Sequence, residues 1–127
     1  MSGLLWVCLG GAAGSGARHL LSVWVWEATG QGFPYGTLTV NLVGSFLLGV
    51  VMHMGLEAQV LSPTARLALA SGVLGGFTTY STFSFETAVM LEGGAWGAAL
   101  LNIGLTLVLG LAACFAGLHA ARGFGGA

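Results

Sequence analysis

The stretch that decides the fold runs Gly75-Gly76-Phe77-Thr78-Thr79-Tyr80-Ser81-Thr82-Phe83-Ser84-Phe85-Glu86. Six of the seven positions from Thr78 to Ser84 carry a hydroxyl, and two glycines stand in front of them. The segment around it, Pro63 to Leu91, is otherwise apolar and 29 residues long. As one helix it would reach about 43 Å, against a hydrocarbon core of about 30 Å. Glycines followed by β-branched threonines are weak helix sequence, so the reading is a helix broken near its middle. Lipid offers no hydrogen bonds, so these hydroxyls must face protein, trapped water or a passing solute.

The rest of the chain agrees with a lipid setting. Of 127 residues, 56% are hydrophobic and only 6% charged, where a soluble domain carries about 25%. Arg18, Arg66 and Arg122 are the only cationic residues besides three histidines, and Glu27, Glu57, Glu86 and Glu92 are the only acids. A net charge of −1 supplies no basic patch, which excludes nucleic acid as a partner. The length suits one domain, 1–127, with no separate module.

Four spans follow from the apolar runs, at about 4–26, 36–55, 63–91 and 96–119. The N-terminus lacks the positive region of a signal peptide, so the first run reads as a span. Gly30, Gly32 and Pro34 break the first connector, and Ser62-Pro63 reads as an N-cap with proline at the first helical position. Trp24, Trp26, Tyr35 and Trp96 gather toward the end of loops one and three, as interfacial aromatics do. The fold class is therefore an all-α membrane protein of four transmembrane helices, the third broken near its centre.

Small-x-x-x-small pairs recur at Gly10/Gly14, Ser45/Gly49 and Gly72/Gly76, and such faces let helices approach closely. They suit packing within a subunit and between subunits, and predict a homodimer at least. Arg66 and Arg122 lie toward the side of both termini, and Arg18 toward the other. That bias leaves two readings: a loosely set orientation, or insertion both ways with pairing to an inverted copy.

The polar side chains at membrane depth are amides and hydroxyls: Asn41, Thr78 to Thr82, Ser84, Asn102 and Thr106. Neutral donors suit an anion that must be held and released, because conduction forbids trapping. Asn102 and Thr106 are four residues apart and share a helix face. Phe77, Phe83 and Phe85 alternate with the hydroxyls, and a ring edge carries positive potential. The plainer reading makes these rings ordinary packing and the asparagines interhelical hydrogen-bond partners. An unwound backbone from Gly75 to Thr79 would also free carbonyls for a hard cation such as sodium, or simply form a kink satisfied by threonine hydroxyls.

Enzyme chemistry finds no support. His19, His53 and His119 sit in different spans, with no metal-ligand spacing and no nucleophile–base pattern. Cys8 and Cys114 lie inside apolar runs and read as small hydrophobes.

The stretch Gly75 to Glu86 resembles the signature of the Fluc/CrcB fluoride channels. A second stretch, Gly36-Thr37-Leu38-Thr39-Val40-Asn41-Leu42-Val43-Gly44-Ser45-Phe46, is similar to that family's second helix. The resemblance implies an antiparallel, dual-topology homodimer in the cell (inner or plasma) membrane, with two fluoride pores and passive export of cytoplasmic fluoride. It implies a structural sodium ion held by the backbone carbonyls of Gly75 and Thr78 from both subunits. It assigns Asn41, Tyr80, Ser81, Thr82, Phe83, Asn102 and Thr106 to the fluoride path and Arg18 to an aqueous vestibule. Tyr80 departs from the pattern, standing where the family usually has phenylalanine. The alternative from another class is a small dual-topology drug/proton antiporter, which needs a membrane-buried carboxylate; the first helix has none. A non-transporting scaffold is the third possibility.

Overall fold

The computed structural model describes residues 2–30 and 32–125. Every regular element among them is helical, and they group into four helical segments. Helix α1 spans Ser2–Thr29, and α2 spans Tyr35–Met52, prolonged by a π-helical turn over His53–Glu57. The third segment has two pieces. Its first, α3, runs over 63–77 with a π-helical stretch at Ala68–Leu74, and its second, α4, is Tyr80–Glu92. Helix α5, Trp96–Gly125, closes the chain.

The starts and stops follow local chemistry. The Ser62 hydroxyl accepts from the Ala65 N–H at 3.1 Å, with Pro63 at the first position, so α3 begins as a capped helix. Gly30 and Gly94 take φ of +80° and +81°, a left-handed conformation that stops α1 and α4 at little cost.

Packing is set by glycine. α1 lies chiefly on α3, and α2 on α5. A Cβ on Gly14 would run into the Val73 carbonyl, and one on Gly10 would stand 2.6 Å from the Ala68 oxygen. Across the second pair, a Cβ on Gly49 would strike the Cys114 carbonyl, and one on Gly117 the Phe46 carbonyl. These backbones touch because nothing stands between them, the mode of association open to helices whose surroundings are as apolar as their own side chains. At the far end, Glu57 bridges two helices, with Oε2 3.1 Å from His53 Nδ1 and Oε1 3.7 Å from Arg122 Nη2.

Tyr35–Glu57 and Trp96–Gly123 are each long and apolar enough to cross a membrane. The outer surface is apolar as well: Leu20, Leu100, Val108, Leu111 and Phe115 are all exposed. Side chains of this kind on the outside need a lipid or protein neighbour.

The interruption falls at Thr78 and Thr79, which are extended at φ −86°, ψ 160° and φ −149°, ψ 114°. The glycines expected to produce it remain helical. Gly76 serves α1 instead: a Cβ there would meet the Gly11 carbonyl at 2.6 Å. What opens the helix is a set of side-chain bonds to the backbone of the two threonines.

A cleft at the helix break

Hydrogen bonding along α3 ends when the Thr78 N–H and its hydroxyl both donate to the Leu74 carbonyl, each at 3.0 Å. In a continuous helix the next N–H, that of Thr79, would return to Gly75. Here it donates to Asn41 Oδ1 at 2.8 Å, while Asn41 Nδ2 donates to the Thr79 carbonyl at 3.1 Å. A side-chain amide from α2 thus stands in for a peptide neighbour and keeps the strand-like residue in place. Thr79 then caps α4, its hydroxyl accepting from the Thr82 N–H at 3.2 Å and donating to the Thr82 hydroxyl at 2.9 Å. Two carbonyls lose their usual helical partners in consequence: that of Gly75, because Thr79 N–H turns to Asn41, and that of Thr78, because Thr82 N–H turns to Thr79.

A cleft of about 330 Å³ opens at this point. α2 lends it Asn41, Gly44 and Ser45; the broken segment lends Gly75, Thr78, Thr79, Tyr80 and Phe83; α5 lends Thr106 and Gly110. The close approach of α2 depends on Gly44, since a Cβ there would collide with the Thr78 methyl. The Tyr80 and Phe83 rings lie 6.0 Å apart between centroids, tilted by 51°. The Thr106 hydroxyl is buried with no protein partner among the described residues.

Four of the residues assigned to an anion path, Asn41, Tyr80, Phe83 and Thr106, thus meet at one cleft, together with Gly75 and Thr78. The other three, and Arg18 of the expected vestibule, lie elsewhere. Ser81 is exposed on α4. The Thr82 hydroxyl is taken up by the cap of α4. Asn102 is 2% exposed and donates to the Thr87 hydroxyl at 3.0 Å, which donates to the Phe83 carbonyl at 2.8 Å. Asn102 and Thr106 therefore do different work despite their shared spacing. Arg18 is half-buried outside the cleft, its Nε without a partner among the described residues. Ser45 was missed by sequence reasoning, although its place one turn after Asn41 would have found it.

An interrupted helix with a mostly apolar cleft that carries a few hydroxyl and amide groups, inside an apolar exterior, defines a helical membrane protein built around a discontinuous segment. Residues 5–118 match the family model described as CrcB-like protein, Camphor Resistance (CrcB). The chain belongs to this family. It is 51% identical over 117 residues to a protein of Sorangium cellulosum, covering 92% of each chain, and 52% identical over 116 residues to one of Anaeromyxobacter dehalogenans, covering 91% of this chain and 92% of the other. A Citrifermentans bemidjiense relative is 43% identical over 122 residues, covering 96% of this chain and 98% of its own. All three bear the name fluoride-specific ion channel FluC.

Proposed function

We propose that the protein is a fluoride-selective channel that lets cytoplasmic fluoride leave across the cell (inner or plasma) membrane down its electrochemical gradient. The observation that carries this reading is the cleft at the break, where neutral donors and two aromatic rings converge with no charged side chain among them. The names of the relatives agree with it.

The physical demand on such a site is severe. Moving a bare ion into a low-dielectric interior costs on the order of 20 kcal/mol by a Born estimate, so lost water must be replaced by short contacts. The Asn41 amide has two hydrogens, of which one is spent on Thr79, leaving the other for an anion. Thr106 brings from α5 a hydroxyl with no partner among the described residues, and Ser45 of α2 lends another hydroxyl to the lining. Tyr80 and Phe83 offer ring edges, which attract an anion without a full charge that would hold it too long. Closed into a narrow path, these donors would favour the smallest halide.

One protomer does not enclose the path. Tyr80, which lines the cleft, is 79% exposed. A second copy packed against this face closes it, and the weak charge bias of the chain suits an inverted, antiparallel partner, giving two pores per dimer. The donor set at the break also fits a sodium ion, since the Gly75 and Thr78 carbonyls have both lost their helical partners to side chains. When bound, the ion supplies a positive charge that ties the two breaks together. The Asn41–Thr79 pairing keeps the Gly75 carbonyl clear of helical bonding, and the Thr79 cap does the same for the Thr78 carbonyl.

Phe83→Ile tests the assignment at the ring. Fluoride efflux from proteoliposomes should fall at least about ten-fold, corresponding to a lost ring-edge contact of about 1.4 kcal/mol. Unchanged efflux from a dimeric preparation would remove Phe83 from the path.

A further inference from the structure

Tyr80 is the first residue of α4, directly after the extended Thr78 and Thr79. In a helix the Cα–Cβ bond tilts toward the N-terminus, so a side chain in this place leans back over the break. The ring lies 6.0 Å from that of Phe83, and both border the cleft. Phe83 is half-buried, whereas Tyr80 is mostly exposed and so stands at the open side. None of the hydrogen bonds that shape the break uses the Tyr80 hydroxyl.

The break falls near the middle of 63–92, and at such a depth lipid offers a hydroxyl no acceptor. A phenylalanine would supply the same ring with no O–H to satisfy, so the phenol carries a cost unless something accepts from it. The cleft collects other donors in the same position. The second Asn41 amide hydrogen and the Thr106 hydroxyl have no acceptor among the described residues, and Asn41 Oδ1 is already taken by the Thr79 N–H. No charged side chain borders the cleft to neutralise an anion or compete with one. We propose that the Tyr80 hydroxyl is itself a donor to the anion, which Tyr80 therefore holds through its O–H as well as its ring edge. This inference rests on the anion site of the channel reading and adds to it a ligand that the ring alone does not supply.

The test uses Tyr80→Phe, which removes one oxygen and keeps the ring. In proteoliposomes loaded with a series of potassium fluoride concentrations, half-saturating fluoride should rise at least about ten-fold, as loss of one hydrogen bond to a charged group gives. The maximal rate should be kept, whereas a ring displaced by poor packing would lower it. A second measurement needs neither transport nor that variant. The chain has two tyrosines, Tyr35 and Tyr80, so 13C-labelling at the tyrosine Cζ gives two NMR signals, assigned with Tyr35→Phe. Potassium fluoride should shift the Tyr80 signal saturably, and equimolar potassium chloride should not. A saturable shift without fluoride release supports the donor while overturning the channel reading. Release by the unmodified protein, with half-saturation unchanged in Tyr80→Phe and a Tyr80 signal that stays in place, overturns this proposal and leaves the channel reading standing. Neither release nor shift overturns both. Tyr80→Phe that lowers the dimer fraction in detergent but leaves half-saturation unchanged assigns the hydroxyl to a second copy of the chain, and overturns the proposal as well.

Discussion

Asn41 and Thr79 meet at both ends of one side-chain amide, Thr79 N–H to Oδ1 at 2.8 Å and Nδ2 to the Thr79 carbonyl at 3.1 Å. They are 38 positions apart in sequence, and this pairing replaces the helical bond that Thr79 would otherwise make. The break is therefore a tertiary feature, imposed on α3 and α4 by α2.

Asn41→Asp turns a donor into an acceptor facing the Thr79 carbonyl, leaving that oxygen unpaired and repelled. Thermal unfolding in detergent should show a loss of about 1–3 kcal/mol. Fluoride efflux should fall with it, because the break and one proposed anion donor are disturbed together. Asn41→Asp protein with an unaltered melting curve would show that the pairing contributes little to the fold.

Glycines at the helix contacts should divide sharply by position. Gly14→Ala drives a methyl into the Val73 carbonyl, a backbone atom that cannot step aside, and should cost at least about 1–3 kcal/mol. Gly97 has open space where its Cβ would stand, so Gly97→Ala should shift stability by less than about 1 kcal/mol, and toward stabilisation. Chemical denaturation of the two variants side by side checks the contrast; equal effects would contradict the packing described between α1 and α3.

Asn102 and Thr106 differ in what holds them, one bonded to Thr87 and the other without a partner among the described residues. Asn102 is buried in a chain running through Thr87 to the Phe83 carbonyl, so Asn102→Leu should lower stability by about 0.6–1.7 kcal/mol. Thr106→Val removes a hydroxyl that no protein group uses, and should leave stability nearly unchanged while slowing fluoride efflux. Melting curves and efflux rates measured on both variants should move in opposite patterns.

Much of this was legible in the sequence. Low charge and four apolar runs announce the helices, and the excess length of 63–91 over a bilayer announces the break, because both rest on chain-local quantities. The three small-residue pairs also find close packing: Gly14 touches Val73, Gly49 touches Cys114 and Gly76 touches Gly11. The position of the break was not legible to the residue. Gly75 and Gly76 have the weaker helix propensity, yet Thr78 and Thr79 open, because propensity ignores Asn41 arriving from α2. The same limit hid the split between Asn102 and Thr106. Shared helical spacing says they project together, and only the neighbouring helix decides that one meets Thr87 and the other a cleft.

The most direct measurement of the central claim is fluoride and chloride efflux from the same proteoliposomes, followed with ion-selective electrodes. The proposed channel releases the fluoride rapidly once the membrane potential is relieved by an ionophore, and retains chloride. Absence of fluoride release from an active dimeric preparation, or release of both halides at similar rates, would contradict it.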